Sequence, residues 1–192
     1  TLTLNAEENA QLNVGTVSLN GKNNLNITSN NVSVNGIKVV ANDNTQENVI
    51  EKSSGVSTSL GDITLGENST TTLRNIKSDD YGNAVFDSAK IATKISLESS
   101  ALVVDGAGSA TTLEASGSGN LIKLNNAGAK LYNITLKENA GVTFDNVKSS
   151  NYDTINLNDS VTVTLDNSDL AKIFSKSPPL RERNSQTFTS LL

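Results

Sequence analysis

The chain has 192 residues, enough for one domain with a real core, and carries a net charge of −5 with no Cys, Met or His. The missing Cys excludes disulfides and thiolate metal sites, and the acidic balance argues against a nucleic-acid partner, whose phosphates want a basic footprint. Aromatic residues make up only 4% of the chain and the apolar ones are chiefly Val, Ile, Leu and Ala, so the expected core is narrow and lined by small aliphatic side chains.

Residues 1–40 alternate apolar and polar side chains from Leu2 to Val40, the period of half-buried strands. Asn-Gly pairs at Asn20-Gly21 and Asn35-Gly36 are also hairpin signals, so a meander of hairpins, closing into an antiparallel β-sandwich, is the rival reading. A sandwich usually wants bulkier aromatic anchors than this chain offers. The stretch 41–60, "ANDNTQENVIEKSSGVSTSL", loses the alternation and is expected to loop out. A second irregular insertion is expected at 78–94, where Ala84 to Ala92 reads as a short helix or a further rung. From Ile95 to Leu170 the strand-turn pattern returns. "DLAKIF" has helix-like composition, and the segment 175–192 holds both prolines and two of the three arginines, Arg181 and Arg183. That shift predicts a boundary near Phe174, with a β-domain over 1–174 and a tail or cap over 175–192.

One unit recurs: "LTLNAEENAQLNVG" from Leu2, "ITLGENSTTTLRN" from Ile63, "ISLESSALVVDG" from Ile95, "ITLKENAGVTFDN" from Ile134 and "INLNDSVTVTLDN" from Ile155. Each is strand, polar turn, strand. The starts are 61, 32, 39 and 21 residues apart, which fits a period near twenty if degenerate copies such as "TVSLNGKNNLNIT" fill the gaps. A unit of that length cannot bury its apolar face alone and must stack on its neighbours, the signature of a β-solenoid. About eight or nine coils are expected at roughly twenty residues each. The 27 Asn residues suit such a stack, because Asn at tight turns tolerates left-handed backbone and can form ladders from coil to coil.

At these repeats the chain resembles the passenger regions of bacterial autotransporters and the filamentous-haemagglutinin-type adhesins, which are similarly rich in Asn, Ser, Thr and Gly and poor in Cys. The resemblance covers most of 1–170 and implies a right-handed parallel β-helix on the cell surface. It transfers no functional residue.

Some β-helix proteins cleave polysaccharides, so carboxylates matter. Asp79-Asp80 beside Tyr81 is the one adjacent acidic pair outside Glu7-Glu8, but a glycosidase needs two carboxyls facing each other across a cleft of roughly 5–10 Å. With no His, and Arg74 the sole arginine outside the tail, the usual general bases and substrate clamps are scarce, and an enzyme is not expected. "DGAGSATTLEASGSGNLIKL", 105–124, is similar to calcium-binding β-rolls, yet the offset positions that should hold Asp are Ala110 and Asn120. Thr-x-Thr pairs at Thr1-Thr3, Thr70-Thr72 and Thr162-Thr164 sit in unlike registers, against an ice-binding array. No cofactor or metal site is expected. The expectation is a secreted or cell-surface scaffold that presents loops, with Asn42, Asp43, Asn44, Asp79, Asp80 and Tyr81 as candidate contacts, to a glycan, a host-surface protein or copies of itself. A subunit of a surface layer or filament is the first alternative and a carbohydrate-active enzyme the second.

Overall fold

A computed structural model describes residues 1–40, 46–87, 91–170, 173–175 and 187–189. Its strands in chain order are β1 (Leu2–Leu4), β2 (Leu12–Asn20), β3 (Asn24–Ile27), β4 (Val32–Val40), β5 (Glu47–Lys52), β6 (Thr58–Ser59), β7 (Asp62–Leu65), β8 (Thr70–Arg74) and β9 (Ala84–Phe86). They continue with β10 (Ile91–Glu98), β11 (Ala101–Val104), β12 (Gly108–Ser116), β13 (Asn120–Leu124), β14 (Ala129–Leu136), β15 (Gly141–Asp145), β16 (Tyr152–Leu157), β17 (Thr162–Asp166), β18 (Ile173–Ser175) and β19 (Thr187–Thr189).

The chain winds between two sheets. One runs β1-β3-β5-β8-β10-β12-β14-β16-β18, and the other runs β2-β4-β7-β9-β11-β13-β15-β17-β19, with β6 beside β4. Pairing is parallel throughout except between β17 and β19, which is antiparallel. The fold is therefore a parallel β-solenoid of about seven turns at about 21 residues each, and the antiparallel sandwich is excluded. The early coils are longer than this mean: Leu25 stacks on Ile50, and Ile37 on Ile63.

Like side chains stack on like. In the first sheet Leu97 lies on Ala115, Ala115 on Leu136 and Leu136 on Leu157; in the second, Ile122 lies on Phe144 and Phe144 on Leu165. This register explains the uneven repeat. Ile95, Ile134 and Ile155 share one column, with the degenerate member Leu113 filling the gap between the first two, whereas Ile63 belongs to the other sheet.

Long strands bend. In β4 the buried side chains are Val32 and Val34, then Ile37 and Val39, so the inward parity switches across Asn35-Gly36, as it does at a bulge. The pair read as a hairpin turn is a corner inside one strand. The other pair, Asn20-Gly21, joins β2 to β3 in the opposite sheet, with Gly21 at φ 94°. Gly61 completes the bend above Asn35: at φ +62°, a Cβ there would lie 2.1 Å from the Asn35 carbonyl oxygen.

Two other expectations are corrected, and one alternative is decided. Within 41–60, Glu47–Lys52 is a full rung, β5, whose alternation is hidden because the buried Asn48 is polar. Of the two readings of Ala84 to Ala92, a short helix or a further rung, Ala84–Phe86 takes the second, as the strand β9. The helix-like "DLAKIF" ends in the strand β18, which pairs parallel with β16. Aromatics also contribute more to the core than composition suggests, since Phe86, Phe144, Tyr81 and Tyr152 are all buried.

Candidate functional site

The corners between strands are where the chain departs from repetition, and their chemistry rests on Asn. Nine non-glycine residues have positive φ among the described residues, and seven are Asn: 9, 31, 68, 75, 139, 146 and 167. Asn tolerates this conformation because its short amide bonds locally. Here the amides also stitch coils together. Asn75 donates to the Lys52 carbonyl at 2.9 Å, and Asn146 to the Leu124 carbonyl at 2.7 Å. Asn120 donates to the carbonyls of Ser116 and Gly117 and accepts from the Ser100 amide. Asn120 is thus committed to backbone groups in the stretch compared with calcium-binding rolls, and Ala110 lies in the core.

The corner at 77–83 divides its candidate residues. Asp79 is exposed. Asp80 is buried: Oδ1 meets Lys52 Nζ at 2.6 Å and Oδ2 accepts from the Lys77 amide at 2.7 Å. The Tyr81 hydroxyl donates to the Ala101 carbonyl and accepts from the Val103 amide, each at 2.8 Å. Burial raises its pKa well above the ordinary phenol range, although the Val103 amide pulls the other way. Asp80 and Tyr81 therefore act inside the stack, and Asp79 is the member of the trio that faces solvent. Asn42, Asp43 and Asn44 lie outside the described residues.

Charge columns form a feature that the sequence reading missed. On the first sheet Glu51, Arg74 and Glu98 are in register on consecutive rungs, and Arg74 pairs with both carboxylates, at 2.7 Å and 2.5 Å. The hydrogen bonds that Arg74 donates to Glu98 and then to Glu51 raise its pKa further. Beside it, Glu114 bridges Lys94 at 2.8 Å and Lys137 at 3.2 Å. Burial pushes the Glu114 carboxyl up, but the two ammoniums outweigh it and hold the pKa below its usual value. Lys123 with Asp145 and Lys130 with Asp153 repeat the arrangement, and each carboxylate raises its lysine. The available signal was opposite charges spaced by one coil, which is visible only once the coil lengths are known.

These contacts neutralise charge along the rod axis and leave a mixed polar surface. Among the described residues no group of three or more Asp, Glu, His or Cys is placed to hold a metal ion. Thr70-Thr72 lies on the first sheet and Thr162-Thr164 on the second, so they share no array. Thr72 is buried and bonds to Glu47. No family model, curated protein or solved structure matches the chain.

Proposed function

We propose that the chain is part of an extracellular bacterial surface protein, a rigid adhesive or display scaffold that meets a glycan, a host-surface protein or copies of itself through its corner loops. The observation that carries this reading is the continuous parallel stack, with nine strands in one sheet and a length of roughly 40 Å at about 4.8 Å per rung. Several of its surface charges, among them Glu51, Arg74, Glu98, Lys94, Glu114 and Lys137, are engaged with one another along the same axis. A rod of that kind holds loops at a fixed spacing, and weak contacts made by several loops sum through multivalency. The Asn-, Ser- and Thr-rich composition without Cys is consistent with an exported scaffold.

The edge strand β2 favours a second reading, a subunit of a filament or surface layer. It is nine residues long, carries neither charge nor proline, and among the described residues has a single neighbour in its sheet. Such an edge invites pairing with another strand. Sedimentation velocity with negative-stain imaging, on the whole chain and on a version ending at Phe174, with and without calcium, separates the two. A short monomeric rod in every condition supports the display scaffold and leads to glycan and host-protein binding screens. Filaments or sheets from the whole chain support the structural subunit.

A further inference from the structure

We propose that the step from the third coil to the fourth, β5 onto β8, is an electrostatic joint at which the solenoid opens, releasing its first three coils as a unit while the later coils stay folded. Three inward columns of the first sheet carry the argument. The central column is aliphatic throughout: Leu25, Ile50, Leu73, Leu97, Ala115, Leu136 and Leu157. On one side of it, Leu4 and Ile27 are followed by Lys52. On the other, Asn48 and Thr71 stand where the next four coils have Ile95, Leu113, Ile134 and Ile155. β5 thus places polar groups on both sides of Ile50.

Those groups are deeply placed. Asn48 is 2% exposed and Thr71 0%, and neither Asn48 Oδ1 nor Thr71 Oγ1 has a hydrogen-bond partner. A buried polar group in that state destabilises its surroundings. The Lys52 side chain is 9% exposed, and its ammonium is met by Asp80 of the next coil. Around the same step Glu51 pairs with Arg74, Glu47 accepts from Thr72, and Asn75 donates to the Lys52 carbonyl. On the second sheet the step is three residue pairs long, β7 on β9, with Ile63 over the small Ala84 and Leu65 over Phe86, and the next step, β9 on β11, pairs only Ala84 with Val104. On the first sheet, apolar burial is thus reduced in the two columns that flank Ile50, and polar clasps replace it there.

In a stack where each coil touches only its neighbours, separation occurs at the weakest interface. A charge pair out of water is a poor substitute for aliphatic packing while intact, and strongly destabilising once either member is removed. The joint therefore depends on Lys52 and Asp80 together. It requires no particular ligand and stands independently of the scaffold reading.

Hydrogen exchange of the full chain, followed by mass spectrometry, tests it. In the unmodified protein, amides of residues 2–65 are expected to exchange as one group, faster than those of residues 91–166. Asp80→Asn leaves the Lys52 ammonium buried opposite a neutral amide. It is expected to accelerate the first group by about 100-fold or more, the equivalent of losing a buried pair, and to leave the second group unchanged. The double variant Asn48→Leu with Thr71→Val restores an aliphatic column and is expected to slow the first group toward the second, a result that does not depend on Asp80→Asn folding. Uniform exchange along the unmodified rod, equal acceleration of both groups by Asp80→Asn, or no slowing in the double variant each overturns the joint.

Discussion

Asn167 donates its side-chain amide to Oδ1 of Asn146, one coil earlier at the same corner, at 3.2 Å, and both residues hold positive φ, 45° and 56°. Asn146 in turn reaches the Leu124 carbonyl, so three coils are tied at one edge. Two separable effects meet at Asn146. Alanine loses the hydrogen bonds and must also hold left-handed backbone, for a combined cost of about 2–3 kcal/mol. Glycine accepts the backbone and loses only the bonds, costing about 1 kcal/mol. Urea midpoints for Asn146→Ala and Asn146→Gly are expected in that order; glycine being the worse of the two would mean that the conformation contributes nothing.

Tyr81 reaches across one coil to use both functions of its hydroxyl, donating to Ala101 and accepting from Val103. Tyr81→Phe leaves a buried carbonyl and amide without this partner and is expected to destabilise the chain by about 1–3 kcal/mol. Because burial raises the phenol's pKa, its ionisation in an alkaline titration is expected only together with loss of the β-sheet circular dichroism signal. A Tyr81→Phe chain as stable as the parent would show that the corner re-pairs these groups without the hydroxyl.

The parts of the fold that were legible in the sequence are those in which one residue type dictates one geometry. Alternation at Ile134-Thr135-Leu136 or Val161 to Leu165 specifies a strand with one face inside, and repetition near twenty residues specifies stacking. β5 was hidden because Asn48 and Lys52 occupy inward positions, so the period-2 signal vanished where the core turns polar. Asn35-Gly36 misled because a corner inside a bent strand and a hairpin turn make similar demands on the backbone, and only the register of the adjacent coil separates them. The candidate site was less legible still. Asp79 and Asp80 are neighbours in sequence with opposite fates, decided by Lys52, 28 residues from Asp80 and brought beside it by the length of a coil.

Glu114 gives the stack a definite dependence on acid. Burial opposes its ionisation, but Lys94 and Lys137 hold its pKa below the ordinary value of 4.5. A carboxyl depressed in the folded chain contributes stability that is fully present above the unfolded pKa and is lost as pH falls through the folded one. Glu114→Gln is therefore expected to be less stable than the parent at pH 7. The two are expected to converge as pH drops below about 4.5, in denaturant titrations repeated across pH at low salt. A gap that persisted unchanged into the acid limb would assign the loss to packing of the side chain rather than to its charge.

Gly61 and Gly55 have similar backbone angles, φ +62° and +75°, in unlike surroundings. A Cβ on Gly55 meets nothing within 4 Å, whereas one on Gly61 would lie 2.1 Å from the Asn35 carbonyl oxygen and 2.5 Å from its carbon. Both alanine variants carry the conformational cost of about 1–2 kcal/mol. Gly61→Ala must also push the third coil away from the second at the corner where Asn35-Gly36 turns, and backbone yields less readily than a side chain. The expected loss at Gly61 is at least about 2 kcal/mol beyond that at Gly55, in the range of overpacking a core. Thermal melts of the two variants measure the difference directly. Equal losses would show that the corner can widen freely, and the close approach of the two coils at this bend would then contribute nothing to holding them together.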